Sequence, residues 1–371
     1  MNAVPPPAAA TARSRWMALV HLLAAKPLTL AGFALLAASV LALQFNVVYD
    51  AAGGSASAAW VAVPLALLAL NLSAAMVRWP SLRRGGLGVF HLGLLLLMLL
   101  AAWGRLTHFN GRIEIADGAA FDAGQVVTVS RGPWSSPALE QLQWRQGPIQ
   151  VAYGAGLKRG RTLSEVQLPA ERGGTEVRLV GDDTPLVLEG YRFYTTHNKG
   201  YAPVLSWRAG DAVALTGSVH MPSYPLREWQ QDNRWVTPDG RALALSLKVV
   251  DALDPEQPWA LRAEQAHAVL TVRDGARQWA LAPGDAVDLG GATLRYERLG
   301  LWMGYTVFRD PTLLPMLVVA LAAVAGLAWH LWRRMAGQPV GLAGQGAGAS
   351  AAAGAHKDGT AAPWSAQGGR A

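Results

Sequence analysis

The stretch Gly85–Gly104, GGLGVFHLGLLLLMLLAAWG, contains no Asp, Glu, Lys or Arg. About 20 residues of helix, at about 1.5 Å each, cross the hydrocarbon core of a bilayer, and only a helix satisfies the backbone of such a segment in lipid. Three further stretches share this composition, and the second of these starts near Ala58 because Gly53 and Gly54 place a turn before it. The sequence therefore predicts four transmembrane helices, at residues 27–49, 58–77, 85–104 and 311–332.

The composition of the whole chain also indicates a membrane protein. Of its 371 residues, 51% are hydrophobic and 15% are charged, whereas a typical soluble domain has about 25% charged residues. The chain contains no cysteine. Structural disulfides, thiolate metal sites, thiol catalysis and haem attachment through a Cys-x-x-Cys-His motif of its own are therefore excluded.

The three clusters of positive charge that flank the predicted helices fall on one side, and loops on the cytoplasmic side of a membrane carry an excess of Lys and Arg. The loop between the first two helices has neither residue, whereas the segments before the first helix, between the second and third, and after the fourth are basic: Arg13, Arg15, Lys26, Arg78, Arg83, Arg84, Arg333 and Arg334. We therefore predict a multi-pass inner-membrane protein with residues 1–26 and 333–371 in the cytoplasm and residues 105–310 in the periplasm. The basic segments beside the helices then explain the net charge of +7. We therefore expect membrane lipid as a partner and do not expect nucleic acid.

A cleavable signal peptide is the alternative interpretation of the first predicted helix. Ala56-Ser57-Ala58 resembles a cleavage site. The apolar run is longer than the core of about 7–15 residues in a signal peptide, which favours a membrane helix.

Residues 105–310 have the pattern of an all-β domain. Short apolar stretches bounded by turn residues recur there, at 126–129, 175–180, 243–250 and 269–272. Asp274-Gly275 is a hairpin signal, and no long stretch has a helical period. We predict a β-sandwich or barrel-like domain. The Ala- and Gly-rich tail from Ala336, and residues 1–15, are expected to be flexible.

The sequence contains no Walker loop, Gly-x-Ser-x-Gly, His-Glu-x-x-His or dinucleotide fingerprint. No catalytic residue is assigned, and a non-catalytic accessory subunit fits the sequence better than an enzyme.

The histidines are the remaining candidates for chemistry. His91 lies about 10 Å along the third predicted helix, where an ionisable residue usually faces a cavity or a partner and where neutral imidazole can bind haem iron. The alternative is a histidine that is hydrogen-bonded to a neighbouring helix. His197 and His220 lie in the predicted β-domain and are candidates for ligand contact, the alternative being a surface or turn position.

Three segments of the chain resemble the ResB-like family of system II cytochrome c biogenesis proteins. Phe90-His91-Leu92-Gly93, followed by a Leu-rich run, is similar to the third membrane helix of that family. The segment 111–118, GRIEIADG, resembles the strand after it, and 304–311, GYTVFRDP, resembles the entry to the last helix. The order of three helices, a large β-rich domain and a final helix also matches the family.

This resemblance implies an integral-membrane subunit that works with a multi-span ResC-like (CcsA-like) haem-handling protein. Together they would move haem b across the inner membrane and deliver it to apocytochrome c. His91 matches the position of a family histidine that is implicated as an axial ligand of the haem iron. An outer-domain histidine is also implicated in the family, and its correspondence to His197 or His220 stays open. Thr312 departs from the family's usual glycine.

A second hypothesis belongs to a different functional class. A membrane-anchored periplasmic scaffold or sensor that binds another protein without haem would have the same architecture.

Overall fold

The computed structural model describes residues 12–45, 55–170, 173–250 and 254–336. The end of the first predicted transmembrane helix, at 46–49, and most of the tail predicted to be flexible lie outside the described residues. The described part contains five α-helices: α1 Ala12–Leu23, α2 Lys26–Gln44, α3 Ser55–Arg78, α4 Gly85–Thr107 and α5 Leu313–Ala336.

Four of these helices are long and apolar enough to cross a membrane. They fall on the four apolar stretches of the sequence, but α3 starts at Ser55, three residues earlier than predicted, and α5 starts at Leu313, two residues later than predicted. The side chain of Asp310 explains the later start of α5, because its Oδ1 accepts hydrogen bonds from the backbone N and Oγ1 of Thr312. The backbone O of Thr312 then accepts the first helical bond, from the N of Met316.

Helix α1 corrects the expectation that residues 1–15 are flexible, because residues 12–15 belong to it. Val20 and Ala24 are buried and pack against Ala74 of α3. This apolar contact stabilises a helix that would be marginal in isolation, and a short amphipathic segment gives little signal for it in the sequence.

The region between α4 and α5 contains antiparallel β-sheets, with short 3-10 turns between strands. The described strands are β1 Phe109–Ala116, β2 Val127–Arg131, β3 Arg145–Gly154, β4 Lys158–Pro169, β5 Thr175–Gly181, β6 Leu186–Leu188, β7 Tyr191–Ala209, β8 Leu215–Ser218, β9 Asp232–Val236, β10 Ala242–Val249, β11 Trp259–Leu261, β12 Ala268–Asp274, β13 Arg277–Leu281, β14 Ala286–Asp288 and β15 Ala292–Arg309.

The described strands of this region form three sheets. The largest has the order β2-β1-β15-β7-β6, with β14 paired to β15 and β8 paired to β7. The other two have the orders β13-β12-β10-β9 and β11-β3-β4-β5. Buried apolar residues from all three sheets form one continuous core, which includes Ile113, Val151, Leu247, Leu270 and Val307.

The helices and the largest sheet are joined through two neighbouring strands. β1 follows α4, β15 leads into α5, and the two strands pair antiparallel from Phe109 opposite Arg309 to Ala116 opposite Trp302. Glycine lets the two helices approach closely: a Cβ on Gly93 would lie 2.5 Å from the Cβ of Ala323. Asp117-Gly118 ends β1, and Gly118 has a φ of 81°, which glycine adopts at little cost.

Candidate functional site

His91 lies on α4, and its ring is oriented by the helix itself. Its Nδ1 lies 2.8 Å from the backbone O of Leu87, one turn earlier. A carbonyl oxygen only accepts, so Nδ1 carries the proton and donates, and Nε2 of the neutral ring holds the free lone pair. Helical spacing of four residues produces this contact, since residues i and i−4 lie on the same face.

The surroundings of His91 are apolar. The side chain is half-buried, and the ring of Phe90 lies edge-on with its centroid 5.4 Å away. The neighbouring Gly93 faces α5, whereas Leu92 is exposed. A half-buried imidazole with its Nε2 lone pair available suits an iron ligand, because haem iron binds neutral imidazole and the flat macrocycle needs apolar neighbours.

His197 lies on β7 and contacts a cation. The Arg159 Nη1 donates to His197 Nδ1 over 3.0 Å, and Arg159 also forms a salt bridge with Asp182. A guanidinium cannot accept, so the Nδ1 lone pair of His197 is occupied and the neutral ring carries its proton on Nε2. Iron binding at His197 would require this arrangement to break, which disfavours it as a haem ligand.

His220 lies in the segment after β8 and stacks on an indole. Its ring is nearly parallel to that of Trp302, at 10° with centroids 5.4 Å apart, and its Nδ1 lies 3.6 Å from the Oε2 of Glu114. The indole Nε1 donates to the backbone O of Met221 over 2.8 Å, which holds Trp302 in place. This stack packs the segment against β15.

The three histidines therefore occupy separate environments. Within residues 12–45, 55–170, 173–250 and 254–336, no group of three or more His, Cys, Asp or Glu side chains is arranged to hold a metal ion. A six-coordinate haem at His91 would need a second ligand in addition to this imidazole.

One charged residue with an unusual position was not predicted from the sequence. Lys199 lies two residues after His197 on β7, where alternation would place both side chains on the same face of the strand. A bulge in β7 disturbs this alternation. Thr195 pairs with Tyr305 of β15 and Lys199 pairs with Met303, so a longer segment of β7 lies opposite a shorter segment of β15. Lys199 is 2% exposed, whereas His197 is exposed.

Burial changes the protonation of Lys199. Loss of water around the amine and, to a smaller extent, the nearby Arg159 charge lower its pKa to about 8, against an opposing contribution from Asp182. A lysine whose charge is destabilised in this way marks a position that a ligand or a reaction can use.

No protein-family model matches the sequence, and no curated protein matches it either. The likeness to the ResB-like family therefore rests on the sequence segments and the order of elements alone.

Proposed function

We propose that this chain is an inner-membrane subunit of a system II cytochrome c biogenesis complex. In this proposal it helps to move haem b across the membrane and to deliver it to apocytochrome c. The observation that carries the proposal is the hydrogen bond from His91 to Leu87, which leaves Nε2 as a free ligand atom on an apolar helix. The resemblance of the segment around His91 to the third helix of the ResB-like family points to the same residue.

The proposed topology follows from the helices and their flanks. Helices α2, α3, α4 and α5 cross the membrane, both termini lie in the cytoplasm, and the β-rich region is a periplasmic domain of sandwich or barrel-like form. Exposed apolar side chains support lipid contact: Leu30 and Leu314 are each 71% exposed in the chain alone. Such faces are stable in lipid and costly in water.

Haem is the cargo in this proposal, and the chain's own groups hold and orient it. His91 binds the iron through Nε2, while the Leu87 carbonyl fixes the ring and makes the imidazole more basic. A ResC-like (CcsA-like) partner supplies the second axial ligand. The β-domain then provides the surface on which the partner or the apocytochrome docks.

The test is a comparison of histidine variants in the assembled complex. The chain is co-expressed with its ResC-like partner, purified in detergent, and examined by absorbance spectroscopy. We expect His91→Ala to lose most of the Soret absorbance while the complex still assembles, and His91→Gly to regain it when imidazole is added. His330→Ala is the matched control, because it removes a histidine from a different apolar helix.

Two results would contradict the proposal. One is unchanged haem content in an assembled His91→Ala complex. The other is an assembled wild-type complex without haem, which would favour the scaffold or sensor.

A further inference from the structure

The buried amine of Lys199 has no hydrogen-bond partner within the described part of the chain. Its Nζ lies 5.8 Å from the centroid of the Tyr153 ring, which gives a cation–π contact. Within the described residues Lys199 forms no salt bridge, and the nearby Asp182 is already paired with Arg159. A charge removed from water without a paired opposite charge is costly, and buried charges are normally paired or hydrogen-bonded. An anion at this position would therefore be stabilised by the protein and would stabilise it in return.

Lys199 lines a cavity of about 470 Å³. This volume lies within the range of about 300–1,000 Å³ that is typical of small-molecule sites. The cavity combines charged, aromatic and apolar side chains, among them Tyr153, Arg159, Lys199, Tyr224, Glu228 and Trp229.

The apolar part of this cavity lies partly in water. Leu226 is 71% exposed and Trp229 is 78% exposed, although both are large apolar side chains. An exposed apolar group beside a deep polar group is the arrangement that an amphipathic ligand needs, since the ligand's body covers the apolar surface while its polar end reaches inward.

The charges around the cavity leave Lys199 as the group that needs a partner. Arg159 is already paired with Asp182. Glu228 also lines the cavity, but its side chain is exposed and its charge is screened by water. The Nζ of Lys199 is out of contact with water, and its long flexible side chain can turn toward a bound group. One carboxylate matches this single unpaired ammonium.

We propose that this cavity binds a monocarboxylate with a flat apolar body. The carboxylate pairs with Lys199, and the body lies against Tyr153, Tyr224 and Trp229. The ligand is either a free organic acid or the C-terminal carboxylate of a peptide that ends in an aromatic residue, because both present the same chemistry. This site is independent of the haem proposal, and it is tested on protein prepared without haem.

The first experiment compares 2-naphthoate with the uncharged 2-naphthamide by calorimetry, using the full chain in nanodiscs and empty nanodiscs as the baseline. We expect naphthoate to bind wild type at least about tenfold more tightly than naphthamide. In Lys199→Met the two affinities become similar. Lys248→Met, which changes an exposed lysine on β10, keeps the wild-type ratio.

A second variant tests the same cavity in case Lys199→Met does not fold. Trp229 is exposed, so Trp229→Ala leaves the fold intact and is expected to weaken both probes alike. Equal binding of the two probes to wild type would overturn the proposal, as would binding of neither probe or a retained preference for naphthoate in folded Lys199→Met.

The second experiment distinguishes the two ligand sources. Two short peptides that end in tryptophan are compared, one with a free C-terminal carboxylate and one amidated. Lys199-dependent preference for the free carboxylate supports a chain end as the ligand. Binding of naphthoate without binding of either peptide supports a small organic acid.

Discussion

At the scale of single residues, three polar side chains in the centre of the β-rich region illustrate how buried polarity is satisfied. The Tyr305 hydroxyl lies 2.6 Å from the Oγ of Ser164 and donates to the Oε1 of Gln146 over 2.7 Å. The Nε2 of Gln146 donates to the Oγ of Ser164, which closes a ring of three groups. Burial raises the pKa of Tyr305 to about 12, so the hydroxyl stays protonated and available as a donor.

We predict that Tyr305→Phe destabilises the protein by about 1–3 kcal/mol, because the Oε1 of Gln146 loses its donor in a buried position. The measurement is chemical unfolding of the purified chain followed by near-UV circular dichroism. Tyr194→Phe is the control, since Tyr194 is half-buried on the neighbouring strand β7, opposite Thr306, and loss of its hydroxyl should change the free energy of unfolding by less than about 0.5 kcal/mol. A similar small change in Tyr305→Phe would contradict the prediction.

The lowered pKa of Lys199 predicts that the free energy of unfolding depends on pH. Its pKa is about 8 in the folded protein and about 10.5 in the unfolded chain, so the unfolded state binds more protons between these values. The contribution of Lys199 to the free energy of unfolding therefore rises with pH between about 8 and 10.5, and it is constant below pH 8.

Lys199→Met should flatten this rise, whereas Lys248→Met should retain it. The free energy of unfolding is measured at several pH values in all three proteins, and only the differences from wild type are compared, because tyrosines also titrate above about pH 10. Parallel curves for wild type and Lys199→Met would contradict the assigned pKa.

At the scale of elements, the packing of α4 against α5 depends on small residues. A Cβ on Gly93 would contact the Cβ of Ala323, and a Cβ on Gly86 would lie 2.3 Å from the backbone O of Gly326. Such close contacts are typical of helices that associate in membranes, where small residues let the backbones approach. The helix pair in turn continues into the paired strands β1 and β15.

We predict that Gly93→Ala lowers the melting temperature of the protein in detergent, although alanine favours an isolated helix over glycine by about 1 kcal/mol. Steric overlap with Ala323 is the reason, and Ala323→Gly in the same chain should restore part of the loss. A double-mutant cycle measures this coupling. Additive effects of the two substitutions would show that the helices are not in contact there.

Several elements were predictable because their pattern is local. The strands at 126–129, 175–180, 243–250 and 269–272, and the hairpin at Asp274-Gly275, are confirmed as β2, β5, β10, β12 and the β12–β13 turn. The long strands β7 and β15 were not predicted as such. Their central residues are buried without simple alternation, so the period of two is lost.

At the scale of the whole molecule, the absence of cysteine allows a direct test of the proposed topology. Single cysteines are introduced at Ser81, in the loop between α3 and α4, and at Thr175 on β5, both of which are exposed. We expect a membrane-impermeant maleimide to label Thr175→Cys in spheroplasts and to label Ser81→Cys only after lysis. Labelling of Ser81→Cys in intact spheroplasts would contradict the orientation, and the cysteine-free parent chain controls for background.

The sequence by itself determined the four long apolar helices and the antiparallel β-rich region between the third and the fourth. Both follow from the spacing of apolar residues along the chain, which reports local burial. Only the tertiary structure decided that His197 contacts Arg159, that a bulge turns Lys199 inward, and that Tyr305 meets Gln146. These contacts join residues far apart in the chain, and they depend on sheet register and the packing of one sheet on another, which no local pattern encodes.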